Sequence, residues 1–327
     1  MGTYWSRREF LGVTGAAALL LATACSSNGS KNSVPKSVTI RHIFGETTIP
    51  APPNRVVSAG LTEQDDLLAL GVVPVAVTNW FGDQPFGVWP WAQSELGGAQ
   101  PVLLNLDNGI QVDQIAKLKP DLVVAVNAGL DADTYQRLTA IAPTIAQSDG
   151  DAFFEPWKDQ ATAVGTAVFQ ADRMKQLITD VDNKFADVAK NDAGFKDKKA
   201  LLLAGSFYAG ALTATLPGWR TDFLTSMGFQ IPNSISAFAV DSSRAAIPRD
   251  KLADALDGAD VLIWSTESDA DQAALLADPA VAALSATQLK RNVFTGKDLA
   301  GAIAFSSPLS YPVVADQLPP LLSRALG

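Results

Sequence analysis

Between Ala171 and Lys190, apolar residues recur at steps of three and four: Met174, Leu177, Val181, Phe185 and Val188. That spacing puts them on one face of a helix, with Asp172, Lys175, Asp180, Asp182 and Lys184 on the others. A helix of that length is a rod of about 30 Å. On either side, residues 54–155 and 197–327 read as short β-branched runs alternating with helical patterns. Neither half needs the other to complete its pattern. The pattern predicts an α/β chain in which the rod either bridges two lobes across a cleft or lies on the surface of one large domain.

In the first half, residues 38–49 alternate as a strand or a hairpin around Gly45-Glu46 and stop at Pro50, Pro52 and Pro53. Residues 55–60 read as a buried strand. Thr62 stands three before Asp65, the spacing of a capping box, and predicts a helix through Leu70 that Gly71 ends. Residues 72–77 form the next strand, so the unit is βαβ with parallel strands. The loop after it holds Trp80, Phe81, Phe86, Trp89 and Trp91 among Gly and Pro, which cannot make a regular core face. Ligands of open α/β sheets bind at the carboxyl ends of strands, so Trp80 and Phe81 are expected to wall a cleft. Trp89 and Trp91 fit either the cleft or local packing. A helix over 112–118, a strand over 121–126 and a helix over 133–141 follow.

The second half echoes this design. Strands are expected at 199–206, 261–264 and 292–295, and a helix at 221–227. An acid opens a short helix that feeds a strand once in each half: Asp113 before residues 121–124, and Asp250 before residues 260–263. Acids favour helix starts in any case, so the echo has a local as well as a global reading.

Composition changes the picture mainly at the start of the chain. Ser6-Arg7-Arg8-Glu9-Phe10-Leu11 is a twin-arginine export signal, followed by an apolar run from Val13 to Leu21 that is too short to span a bilayer. It ends in Ala22-Thr23-Ala24-Cys25, and residues 26–35 form a polar tether. Cys25 is the only cysteine, so the exported body contains no disulfide. Cleavage before Cys25 removes two arginines and one glutamate and takes the formal charge from −9 to −10. An acidic body argues against nucleic acid and anionic lipid surfaces as partners, and any anionic ligand must be met by locally placed Arg or Lys. With one histidine, His42, a three-histidine metal site is impossible, and a histidine in a strand reads as a surface or packing residue. No G-x-S-x-G, Walker A or H-E-x-x-H motif occurs, and no catalytic constellation emerges.

Residues 55–58, 67–77, 118–124 (Leu-Lys-Pro-Asp-Leu-Val-Val) and 141–144 (Ile-Ala-Pro-Thr), in that order around one linking helix, resemble the iron-siderophore and vitamin B12 solute-binding proteins of ABC importers. The residues before Cys25 resemble a bacterial lipobox, and together these features are most similar to the iron(III)-dicitrate or siderophore-binding lipoproteins of mycobacteria and related actinomycetes. The resemblance implies two Rossmann-like lobes bridged by one long rigid helix, the class III periplasmic-binding-protein fold. It divides the chain into a signal (1–24), a tether (25–37), an N-terminal lobe (38–155), a linking segment (156–196) and a C-terminal lobe (197–327). It implies a non-enzymatic, monomeric receptor, lipid-anchored through Cys25 on the outer face of the cytoplasmic membrane. Such a receptor captures a ferric siderophore, or alternatively haem or a corrinoid, for a permease dimer. The family's cleft positions match Trp80, Phe81, Tyr208, Trp219, Arg220, Arg244 and Trp264 here. Trp219 also fits a core position, and Arg220 a surface ion pair. Its permease-docking acids match Asp113 and Asp250. A siderophore holds its own iron, so the protein itself need supply no metal ligand. Haem would need an axial ligand, for which Tyr208 or Tyr311 is expected.

Overall fold

The structure is a computed structural model that describes residues 36–148 and 153–327. The signal, Cys25 and the tether up to residue 35 lie outside the described residues. A hairpin of β1 (Val38–His42) and β2 (Gly45–Ile49) opens the body, paired in the register His42–Gly45. There follow β3 (Val56–Ser58), α1 (Glu63–Ala69), β4 (Ala76–Thr78), β5 (Val102–Leu104), α2 (Val112–Leu118), β6 (Leu122–Ala125), α3 (Ala132–Thr139) and β7 (Thr144–Ala146). The five strands β3–β7 form one fully parallel sheet, ordered β5-β4-β3-β6-β7. Strands β3, β4, β6 and β7 are buried on both faces, whereas Val102 and Leu103 of the edge strand β5 are exposed.

Two helices then leave this sheet: α4 (Trp157–Ala167) and the long α5 (Ala171–Asn191). The second sheet contains β8 (Ala200–Tyr208) and β9 (Ala211–Thr215), then, after α6 (Asp222–Ser226), β10 (Arg244–Pro248). Next come α7 (Leu252–Leu256), β11 (Val261–Ser265), α8 (Asp269–Ala277), α9 (Pro279–Ala282), α10 (Ser285–Gln288) and β12 (Asn292–Phe294). Helices α11 (Gly296–Phe305) and α12 (Ser310–Leu326) close the chain. The sheet order is β10-β9-β8-β11-β12; β8, β11 and β12 are parallel, and β9 and β10 antiparallel.

The rod bridges the two halves. At its start, Gln170 and Arg173 donate to the carbonyls of Leu70 and Ala69, at the end of α1. Farther along, Phe185 packs against Phe223 and Tyr311 of the second half. Of the stripe read from the sequence, Met174, Val181 and Phe185 are buried, and Leu177 and Val188 lie partly buried against the same core. That core is continuous. It holds Val56, Leu122 and Ile145 of the first sheet, α5, and Leu202, Val261 and Ile303 of the second half.

The echo between the halves has a structural cause at a second pair of acids. Asp121 accepts the backbone N–H groups of Asn54 and Arg55, both at 2.8 Å, just before β3. Asp260 accepts the N–H of Lys199 at 2.8 Å, just before β8. Each acid pins the start of the neighbouring parallel strand. His42 is a packing residue: its Nε2 lies 3.0 Å from the Thr47 hydroxyl and 3.3 Å from that of Tyr135, and burial lowers its pKa.

The strand expected over residues 72–77 is confined to Ala76–Thr78, and a second local expectation fails. Thr62 occupies the N-cap position of α1, but its side chain caps nothing and instead donates to Gln160. The capping box does not form because the acids of that first turn are fully buried and have tertiary partners.

Candidate functional site

The aromatic loop after β4 meets the second half at the junction of α11 and α12. Phe305, the last residue of α11, lies 5.8 Å from Trp80, 6.3 Å from Phe81, 5.9 Å from Trp89 and 5.7 Å from Trp91, measured between ring centroids. Trp89 and Trp91 stack in parallel at 5.0 Å. The Trp89 ring lies against Gly82 of its own loop and Gly301 of α11, and a Cβ at either glycine would come within 2.5 Å of the indole. Trp89 is 1% exposed and therefore belongs to this packing, not to a cleft wall. Trp91 is partly buried, and its Nε1–H donates to Asp65 at 2.7 Å.

Asp65 is the polar centre of the same junction. Its Oδ2 also accepts the hydroxyl of Ser307 at 2.6 Å, from the link between α11 and α12. Its Oδ1 has no hydrogen-bond partner. Burial pushes the Asp65 carboxyl up to about 6, against the pull of these two donors. Asp66 accepts from Gln160 at 2.7 Å, and burial raises its pKa well above the ordinary value, helped by the neighbouring acids. Burial pushes Glu63 up to about 7, although it accepts the Asn127 N–H at 2.7 Å.

Asn127, at the carboxyl end of β6, passes this order outward. Its side-chain oxygen accepts the N–H of Phe154 at 2.9 Å and helps hold that residue at a φ of 64°, in the left-handed region that non-glycine residues rarely enter. The Phe154 ring lies 5.0 Å from Trp80. The Arg220 guanidinium stands 4.7 Å from the Phe154 ring and 4.5 Å from the Trp219 ring. Trp80, Phe154, Arg220 and Trp219 thus form one series of contacts from the first half to the second. Trp80, Phe81, Phe154, Trp219 and Arg220 are all partly exposed, as ligand walls must be. Such a surface offers flat apolar faces and one forked cation.

The other expected site residues do not join this series. Trp264 is fully buried beneath the second sheet, where its Nε1–H donates to Asn292, so its assignment to the cleft is withdrawn. It lies on β11, whose apolar run over residues 261–264 is buried on both faces. Tyr311 is 2% exposed, donates to Ser306 and is ringed by Trp157, Phe185 and Phe223. Burial pushes its phenol up to about 12, which opposes the phenolate an iron ligand would need, so Tyr311 is also withdrawn. Tyr208 stands 83% exposed at the β8–β9 hairpin tip. Arg244 begins β10 and is ion-paired with Asp241 at 2.8 Å. Asp241 is pulled down to about 2, chiefly by the backbone N–H of Ser243, with Arg244 adding to it.

Asp113 and Asp250 are both exposed at the first turns of short helical segments, at the start of α2 and just before α7. Asp113 has a loose partner in Arg137 at 3.6 Å. Sequence reasoning missed Phe154 and Phe305. The adjacent pair Phe153-Phe154, just beyond the last strand of the first half, was a visible signal; Phe305, at the end of an apolar helix, had none.

The periplasmic binding protein family model matches residues 56–299. The chain is 66% identical to a periplasmic solute-binding protein of Mycobacterium smegmatis of known structure, covering 89% of this chain and 99% of that one, with a TM-score of 0.85. It is 33% identical over 228 residues to the Bacillus subtilis protein named "probable siderophore-binding lipoprotein YfiY", covering 66% of this chain and 65% of that one. The match thus spans just under two thirds of that relative's length. PiaA of Streptococcus pneumoniae in complex with ferrichrome shares the fold at 23% identity, covering 88% of this chain and 98% of that one, with a TM-score of 0.74. The match over most of the chain, on two α/β sheets bridged by one long helix, places this protein in the periplasmic binding protein family, a family of solute-binding proteins rather than enzymes.

Proposed function

We propose that this chain is the extracytoplasmic substrate-binding component of an ABC importer, which captures a ferric siderophore and delivers it to a membrane permease. The observation that carries this reading is the series Trp80–Phe154–Arg220–Trp219, an aromatic surface with an embedded guanidinium between the two sheets. Aromatic faces cover the organic shell of a chelate, and the guanidinium donates to its oxygens. The siderophore-binding relatives support the same reading. In this proposal the twin-arginine signal exports a monomer, lipid on Cys25 holds it to the outer face of the cytoplasmic membrane, and Asp113 and Asp250 dock on the permease dimer. Haem or a corrinoid is the second reading. With Tyr311 in the core, Tyr208 is left as the expected haem ligand.

Titration of the full-length chain with ferric siderophores and with haem tests the proposal. Quenching of tryptophan fluorescence by ferric chelates, without a Soret shift on haem addition, is the expected result. A Soret shift with no binding of ferric chelates would replace it with the haem reading.

A further inference from the structure

Resting on the ferric-siderophore reading above, we infer that Thr62 and Asn127 are positioning residues for the ligand surface. Buried beneath it, they hold the Phe154 wall in place through a one-way chain of hydrogen bonds.

The chain begins at a backbone group. The Phe154 N–H can only donate, so the side-chain oxygen of Asn127 accepts it, at 2.9 Å. The Asn127 amide nitrogen then donates to the Thr62 hydroxyl at 3.0 Å, and that hydroxyl donates to Oε1 of Gln160 at 3.2 Å. The Gln160 amide nitrogen ends the chain on Asp66 at 2.7 Å. Thr62, Asp66, Asn127 and Gln160 are all buried. Reversing any one link would set two donors or two acceptors face to face at the next. The backbone donor at one end therefore fixes both amide orientations up to the carboxylate at the other. The main chain of Asn127 is held as well. Its N–H donates to Glu63 at 2.7 Å, and the other Glu63 oxygen accepts the Thr62 N–H at 3.2 Å.

Phe154 needs such a hold. Its φ of 64° is costly for a bulky side chain, and that backbone sets its ring 5.0 Å from Trp80 and 4.7 Å from the Arg220 guanidinium. Released from Asn127, the backbone would relax to negative φ and carry the ring away from both. The chain also gives the Thr62 hydroxyl a role that the missing helix cap leaves open: it serves the ligand wall rather than the end of α1.

The test uses the full-length chain with ferrichrome and ferric citrate as probes, the wild-type affinity for each being measured first. Thr62→Val keeps the shape of the side chain but removes the hydroxyl, which frees the Asn127 amide to turn. It should weaken binding of whichever probe the wild type takes up by about tenfold. Thr62→Ser keeps the hydroxyl and should stay within about twofold of the wild type. In a Phe154→Gly background, glycine adopts the left-handed backbone unaided and no ring remains to be placed, so Thr62→Val should change affinity by less than about twofold. An equal loss in both backgrounds would overturn the inference and leave the ferric-siderophore reading standing. So would unchanged affinity in Thr62→Val with only a lowered denaturant midpoint. If Thr62→Val does not fold, hydrogen exchange of the wild type decides. The Phe154 amide should exchange at least about a hundredfold more slowly than an unstructured one, and exchange at the unstructured rate would overturn the inference. Binding of neither probe by the wild type would overturn the functional reading, and this inference with it.

Discussion

Replacing Trp264 with alanine should remove about 3–5 kcal/mol of folding stability, because the indole is fully buried and its N–H is satisfied inside the second sheet's core. Ligand affinity should stay unchanged. Trp80→Ala should do the reverse. Its ring is partly exposed and borders Phe154, so ligand affinity should fall by more than about tenfold, about 1.4 kcal/mol, with a smaller loss of stability than at Trp264. Denaturant midpoints and binding isotherms for both variants separate the roles, and the opposite pattern would exchange them. Cys25→Ser, in turn, should release the exported protein from the membrane fraction; full retention would show that another segment anchors it.

At the scale of the element, α1 buries three acids in a single turn, which makes stability depend on pH in an unusual direction. The folded pKa of Asp65 is raised to about 6 from 3.8 and that of Glu63 to about 7 from 4.5, chiefly by burial. Between the unfolded and folded values the native state binds more protons than the unfolded chain. The stabilisation is therefore complete below the lower value and lost as pH rises through the upper one. His42 acts with the opposite sign, since its lowered pKa favours the native state above its ordinary value of 6.5. Asp65→Asn isolates the acid. The amide oxygen can accept the Trp91 and Ser307 bonds, and the amide nitrogen takes the position of the unpartnered Oδ1. Relative to the variant, the native protein should lose stability between about pH 4 and pH 7. Urea unfolding across that range checks this, and a relative gain with rising pH would contradict it. The sequence led to a capping box at this turn, because a local rule reads Thr62 and Asp65 by spacing and cannot see Ser307, which is remote in the chain and donates to the same carboxylate.

At the scale of the whole molecule, the two halves share one core through α5, Phe305 packs among the aromatic residues of the other half, and Asp65 receives Ser307. A large hinge rotation would have to break all three. Scattering from free and ligand-loaded protein should therefore give nearly the same radius, and a change of several ångströms would count against the rod. Asp113 and Asp250 open helical segments that feed β6 and β11, the strands parallel to β3 and β8 in their respective sheets. Replacing both with alanine should leave ligand affinity intact and cut transport, with the defect shrinking as salt rises. Normal transport, or loss of ligand binding, would reduce them to helix-start residues.

The α/β class, the rod, the parallel βαβ unit and the aromatic loop were legible in the amino-acid order because each rests on local periodicity or on the chemistry of neighbouring residues. The internal echo was legible too, although the acids that explain it, Asp121 and Asp260, act by pinning a distant strand. Which tryptophan reaches the surface was not. Trp264, Trp89 and Trp80 are one residue type in similar apolar surroundings, and only the packing of the sheets, α11 and Gly301 decides that two are buried and one is partly exposed. Tertiary structure alone also brought Phe154 beside Arg220 and Ser307 beside Asp65, since those pairs are far apart in the chain and no periodicity connects them.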